Sequence, residues 1–187
     1  RTSRRQRQMC IRDRAGTGDA RVCLPGTHAK WARLSRGHLA GFRTMMTGEM
    51  FALLGEASIL RHTVGISDWS DDDFAAAVAE AHAAPADCLG RLFGLRAGPL
   101  LFGDAAPSGS ARLSGLLIGA EIATGMAAGD EPLCLVATGG MAERYAAALT
   151  ALGIDFDRAD AEDAVRNGLF AMAARIWPER ELLETDA

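Results

Sequence analysis

Short apolar runs open the chain, and longer stretches of helical periodicity follow. Arg21–Leu24 is a brief apolar run that ends at Pro25-Gly26, the pattern of a strand stopping in a turn. Ala29–Leu34 and Leu39–Phe42 flank Ser35-Arg36-Gly37-His38, so a hairpin is predicted there. Three short strands are thus expected first. Thr47 has the character of an N-cap, with Glu49 in the first turn behind it. Met50, Phe51, Leu53 and Leu54 carry that first helix to about Ala57. Ser67–Asp73 is acidic, and Ser70 or Asp71 caps a second helix that reaches His82 and is broken by Pro85. Leu89, Leu92 and Phe93 recur within Cys88–Leu95, which predicts a third helix.

Gly98–Gly109 reads as a loop rich in Gly, Pro and Ala. A long helix is predicted from about Ala111 to Ala127, with Leu113, Leu116, Leu117, Ala120 and Ala123 on one face. Gly115 and Gly119 weigh against it, because glycine costs helix stability relative to alanine. Glu131–Ala137 ends in a continuous apolar run, Leu133–Ala137, which suits a central strand covered on both faces. It stops at Thr138-Gly139-Gly140, and a helix is expected from near Met141 to about Leu152. Ile154–Arg158 reads as a strand, and Asp160–Ile176 as a closing helix ended by Pro178. The order is strands, helices, then strand–helix–strand–helix, an α/β pattern with sheet and helices in layers.

Composition narrows the class. A chain of 187 residues is long enough for one domain with a sizeable core. Leu113–Ile122 is apolar but interrupted by Gly115, Gly119 and Glu121, so no membrane span is expected. No apolar region of signal-peptide type follows the basic start. Cys10, Cys23, Cys88 and Cys134 stand far apart with no histidine at ligand spacing. That argues against a zinc site or disulfide framework and for a reducing cytoplasm.

The net charge of −4 is uneven: residues 1–14 carry six Arg and one Asp. Such an arm reads as non-native or disordered, or else as a nucleic-acid-binding extension. The acidic body after it argues against a nucleic-acid partner. Residues 15–178 are expected to form the folded domain, and 179–187 an acidic tail. Lys30 is the single lysine among twenty basic residues, which draws attention to its compact point charge.

Three constellations could carry chemistry. In Leu24-Pro25-Gly26-Thr27-His28, a glycine and a hydroxyl at a strand end expose backbone N–H groups that can hold phosphate oxygens. Lys30 lies where its ammonium could reach a nucleotide phosphate. A plain Pro-Gly turn is the alternative. In Val136-Ala137-Thr138-Gly139-Gly140, the Gly-Gly pair lets a ligand approach the backbone at a strand's carboxyl end, or is only a tight βα turn. In Thr44-Met45-Met46-Thr47-Gly48-Glu49, Thr47 and Glu49 could orient substrate hydroxyls, or simply start a helix. Asp71-Asp72-Asp73 reads as a solvated first turn, and Met45, Met46 and Met50 as core filler. His38 is expected in a turn, with His62 and His82 beside helix ends.

Together these residues resemble the 2-dehydro-3-deoxygalactonokinase family, also called 2-oxo-3-deoxygalactonate kinase. The resemblance rests on LPGTHAKW at 24–31, FRTMMTGEMFALLGEASIL at 42–60, SGLLIGAEIA at 114–123 and RYAAAL at 144–149. It runs from about residue 20 to about 176. It implies a fold of the ribonuclease-H-like type shared by hexokinase, actin and heat-shock-70 ATPases, here as a C-terminal kinase domain with flanking helices. It implies ATP-dependent phosphorylation, with Mg²⁺, of the C6 hydroxyl of 2-dehydro-3-deoxy-D-galactonate in galactonate catabolism.

By that resemblance Gly26, Thr27 and His28 are similar to a phosphate loop, with Lys30 beside it. Gly139 and Gly140 are similar to the adenosine-side turn, and Thr47, Gly48 and Glu49 to substrate contacts. No protein-held metal site is assigned, and a homo-oligomer is compatible with the pattern. The family's first domain carries an Asp-x-Gly-Ser/Thr loop and a catalytic base near it. No such loop occurs in this sequence. The expectation is therefore a C-terminal half, inactive alone. The competing readings are another sugar or sugar-acid kinase of the superfamily, or a non-catalytic binding domain.

Overall fold

The computed structural model describes residues 18–64, 69–103, 107–127 and 129–176. The basic arm, the start of the Ser67–Asp73 stretch, part of the Gly98–Gly109 segment, Pro178 and the acidic tail lie wholly or partly outside the described residues.

Among the described residues the fold is mixed α/β, with one five-stranded sheet and six helices. Strands β1 (Ala20–Leu24), β2 (Ala29–Ser35) and β3 (His38–Met45) form an antiparallel meander. The β2–β3 turn holds Arg36 at φ 50 and Gly37 at φ 74, as the hairpin signal required. His38 begins β3 rather than sitting in the turn, and β3 runs on to Met45. Strands β4 (Leu133–Val136) and β5 (Phe156–Ala159) add in parallel on the other side of β1, giving the order β3-β2-β1-β4-β5.

The helices are α1 (Thr47–Glu56), α2 (Asp71–Ala83), α3 (Cys88–Phe102), α4 (Gly109–Met126), α5 (Gly139–Ala151) and α6 (Ala161–Ile176). Ser70 caps α2 by accepting a bond from the Asp73 N–H at 3.1 Å. Short 3₁₀ turns cover Ile59–His62 and Pro85–Asp87. Helix α3 continues seven residues beyond the predicted Leu95 and includes Pro99. Proline's φ is compatible with a helix, and the Pro99 carbonyl still accepts from the Gly103 N–H.

The buried face of α3 also differs from the prediction. Cys88, Leu92 and Leu95 point inward, whereas Leu89 is 78% and Phe93 65% exposed. Met46, expected in the core, is half exposed. Helix α6 buries no side chain.

Helix α4 organises the molecule. One core joins it to the sheet and α5 through Cys23, Trp31, Ile118, Ile122, Leu133, Leu135 and Leu149. A second core joins it to α2 and α3 through Ala77, Ala81, Leu92, Leu113 and Leu116. Lying between two cores, α4 is buried nearly all round, so the predicted single apolar face was too narrow. Gly115 and Gly119 explain how α2 comes so close. A Cβ at Gly115 would lie 2.5 Å from the Phe74 carbonyl oxygen, and one at Gly119 would run into the Val78 carbonyl. The propensity cost is offset by helix–helix contact that any larger residue would block. No described helix is long and apolar enough to cross a membrane.

Candidate functional site

Parallel strands β1 and β4 end on the same side of the sheet, where ligands of open α/β sheets bind. Beyond these ends lies a cavity of about 360 Å³. Gly26 and Thr27 line it from the turn after β1, and Thr47, Gly48 and Phe51 from the first turns of α1. Ser114, Leu117 and Ile118 come from α4, and Met141, Arg144 and Tyr145 from α5.

The β1 turn and the start of α1 are one physical unit. The Glu49 N–H donates to the Thr27 carbonyl at 3.0 Å. A Cβ at Gly48 would stand 2.7 Å from the Gly26 oxygen and 2.8 Å from the Thr27 Cα, both backbone atoms. Only glycine lets α1 seat on the turn. This is why Pro25-Gly26-Thr27-His28 and Met46-Thr47-Gly48-Glu49 occur together. His28 Nε2 and Glu49 Oε2 are 2.5 Å apart and clasp the same two segments from outside.

Gly26, Thr27, Thr47 and Gly48 are thus brought together on the cavity. His28 and Glu49 bond each other and do not line it. Lys30 is exposed and donates back to the His28 carbonyl at 3.0 Å. Gly139 and Gly140 open α5 just before Met141, which does line the cavity. Gly139 has φ +60, and an added Cβ at Gly26, Gly139 or Gly140 would meet nothing within 4 Å. The backbone there is open to close approach. Thr47 is the first helical residue and not the N-cap. Met46 holds that place with no side-chain cap bond.

The Thr47 side chain lies beside Glu121 instead, a residue the sequence reading treated only as an interruption of an apolar run. Glu121 on α4 is 3% exposed. Its Oε1 accepts from Trp31 Nε1–H and its Oε2 from the Tyr145 hydroxyl, each at 2.8 Å. The Thr47 side chain lies close enough to oppose the upward pKa shift of both this carboxylate and the Tyr145 phenol. Burial pushes the Glu121 pKa above the usual carboxylate range, while Thr47 and the Trp31 and Tyr145 bonds oppose that shift. Burial first, and then the Glu121 charge, drives the Tyr145 phenol far above its ordinary value. The signal that could have revealed this network was a lone acid in an apolar helix. Buried charge is tolerated only with partners.

At the rim, the Arg144 guanidinium stacks 4.5 Å over the Trp69 ring. Where the last turn of α4 packs on β1, buried Arg21 donates to the Gly125 carbonyl at 2.7 Å and pairs with Glu131. That pairing is structural and lies away from the cavity. Among the described residues no group of three or more His, Cys, Asp or Glu is placed to hold a metal ion.

Comparison with known proteins agrees with the motifs. A family model described as 2-keto-3-deoxy-galactonokinase matches residues 9–172. The chain is 43% identical over 168 residues to a Rhizobium meliloti (strain 1021) protein named for 2-dehydro-3-deoxygalactonokinase, DgoK1, covering 87% of this chain and 55% of that protein. It is 34% identical over 155 residues to the 2-dehydro-3-deoxygalactonokinase of Escherichia coli (strain K12), covering 82% of this chain and 53% of that one. A crystal structure titled as a 2-dehydro-3-deoxygalactonokinase protein from Sinorhizobium meliloti matches with a TM-score of 0.82 and 41% identity, over 96% of this chain and 60% of that chain. The chain therefore spans about half the length of the curated relatives it matches.

Proposed function

Because the chain belongs to the 2-keto-3-deoxy-galactonokinase family, we propose that it supplies the nucleotide-binding wall of a kinase that phosphorylates the C6 hydroxyl of 2-dehydro-3-deoxy-D-galactonate with ATP, in galactonate catabolism. The observation that carries this is the cavity where the turn after β1 meets the first turns of α1 and α5. The strand order, with an antiparallel meander and two parallel additions, supports a ribonuclease-H-like domain of the actin and hexokinase type. The free thiols of Cys23, Cys88 and Cys134 fit a reducing cytoplasm.

In this reading the backbone N–H groups of Gly26 and Thr27, with the Thr27 hydroxyl, hold phosphate oxygens. The N-termini of α1 and α5 add partial positive charge on the same side. Gly139 and Gly140 leave room for the adenosine end. Thr47 and Gly48 border the space for the acceptor sugar. ATP supplies the transferred phosphoryl group, and catalysis is largely positioning and charge neutralisation.

The residues fit the nucleotide better than a protein-held Mg²⁺. Glu49, the acid nearest the turn, is engaged by His28, and both Glu121 oxygens are taken. Among the described residues no carboxylate lines the cavity. A coupled ADP-release assay with ATP, Mg²⁺ and the sugar acid tests this reading. The chain alone is expected to give no turnover above the ATP background, and sustained sugar-dependent turnover would overturn the half-site reading.

A further inference from the structure

We propose that Arg144, stacked over Trp69 at the rim of the cavity, is a ligand-binding residue whose guanidinium takes an oxyanion group of the bound ligand, a phosphate or a carboxylate. The inference deepens the kinase reading and rests on the cavity being its ligand site.

Helical spacing puts Arg144 on the wall. Met141, Arg144 and Tyr145 stand three and four residues apart on one face of α5, and all three border the cavity. Tyr145 is fully buried and Met141 is apolar. The other lining residues are glycines, hydroxyl residues and apolar side chains. Among the described residues Arg144 is therefore the only charged group that lines the cavity. Glu143, its neighbour in sequence, pairs instead with Arg158 at 3.1 Å. Among the described residues no carboxylate or carbonyl accepts from Arg144, and its one partner is the Trp69 ring, 4.5 Å away.

Trp69 is itself held in place. Its Nε1–H donates to Asp71 Oδ1 at 2.7 Å, and its ring centroid lies 5.5 Å from that of buried Phe74. The ring is thus fixed at its edge and against a core residue of α2. A guanidinium stacked on it has less rotamer freedom to lose when a ligand arrives. An indole offers a π face and an N–H donor but no lone pair, so the stack leaves the N–H groups of Arg144 for other acceptors.

Charge then sets the ligand class. The first turns of α1 and α5 already add partial positive charge at this cavity. A ligand that covers Arg144 takes a cation out of water, which is tolerated only where the ligand brings acceptors of opposite charge. Phosphate and carboxylate oxygens match the planar fork of a guanidinium, and an ammonium cannot copy that match. A neutral sugar or nucleoside would leave the cation unpaired.

Calorimetric titrations of this chain would use three probes: tripolyphosphate, 2-dehydro-3-deoxygalactonate, and adenosine, which carries no anion. The wild-type chain is expected to bind at least one of the two anions. That affinity should fall about tenfold in Arg144→Gln, as expected for one charge-assisted pair. It should fall about threefold in Trp69→Leu, which keeps the cation and removes its platform. Arg144→Lys should recover only part of the loss, because the charge returns without the fork. Added salt should weaken anion binding more steeply in the wild type than in Arg144→Gln. Arg158→Gln, which removes an arginine already paired, should leave anion affinity within about twofold. A response of tripolyphosphate assigns the oxyanion to the nucleotide, and a response of the sugar acid assigns it to the acceptor.

Adenosine affinity should be the same in all variants. Equal losses for every probe would mark a purely structural role and overturn the proposal. Equal losses in Arg144→Gln and Arg158→Gln would do the same, since net charge alone would explain them. If Arg144→Gln does not fold, Arg144→Met carries the comparison. Anion binding that ignores the loss of Arg144, or binding of adenosine alone, removes this proposal and leaves the kinase reading. Failure of all three probes to bind removes both.

Discussion

Replacing Gly115 with Ala should destabilise the protein, although the same change normally strengthens a helix. The propensity gain at a helix-interior glycine is about 1 kcal/mol. Against it stands a Cβ placed 2.5 Å from the Phe74 carbonyl oxygen and 2.7 Å from the Ala77 Cβ. Ordinary contact begins near 3.4 Å, so α2 must retreat from α4 by roughly 1 Å. The obstacle is backbone plus a rigid methyl, with no flexible side-chain end to swing aside. Overpacking of that kind costs about 3 kcal/mol, the upper part of its usual range.

The net loss is about 2 kcal/mol, or a melting temperature lower by roughly 4–8 °C for a domain of this size. Gly94 is the control. It lies inside exposed α3 surface, and an added Cβ meets nothing within 4 Å. Gly94→Ala should raise the melting temperature by roughly 2–4 °C. Both are read by thermal circular dichroism. A Gly115→Ala protein that melts at or above the wild type would refute the close-packing account of α2 and α4.

Three other outcomes follow from the buried groups. Tyr145 is the chain's single tyrosine, so absorbance at 295 nm during an alkaline titration reports on it alone. Phenolate should appear only together with loss of the far-ultraviolet helix signal, and a separate step near the ordinary tyrosine pKa would contradict its burial against Glu121. Glu121 keeps its proton in the folded state at pH values where the unfolded chain has lost it. Stability owed to it should therefore fall as pH rises from the ordinary carboxylate value through its raised folded value. In thermal melts across that window the wild type should lose ground relative to Glu121→Gln, and a steady gain would reverse the assignment. Burial, and next the Asp157 charge, pushes the Cys134 thiol up to about 11. Its alkylation should be slow at pH 8 and accelerate toward that value, whereas fast labelling at pH 8 would show an open thiolate.

The sequence pattern located most elements because their signals are local. Ser70 before an apolar-periodic run, Arg36-Gly37 between two strands, and Gly-Gly after a continuous apolar strand each act within a few residues. The errors arose where distant partners decide the outcome. Thr47 looked like a cap, but its side chain lies beside Glu121, a residue on α4, and the helix starts on Met46 without a side-chain cap. Leu89 and Phe93 obeyed helical spacing, yet the side of α3 facing α4 is set by Cys88, Leu92 and Leu95. Gly98–Gly109 read as a loop for its Gly, Pro and Ala, yet the helix runs on to Phe102, because the one N–H missing at Pro99 does not end it.

The candidate site was half legible. Its glycine turns were visible as motifs, and their joining through Gly48 explains the motif pair. Glu121 and Tyr145 were quoted within family segments without a role. Burial and hydrogen bonding across 24 residues cannot be read from local composition.

The central claim is that the turn after β1 and the start of α5 hold a nucleotide. Amide chemical-shift mapping of this chain during titration with ATP and Mg²⁺ tests it most directly. Saturable binding is expected, with the largest shifts at Gly26, Thr27, Thr47, Gly48, Gly139 and Gly140, and little change on α6 or β3. Absence of saturable binding, or shifts concentrated away from that cavity, would contradict the account.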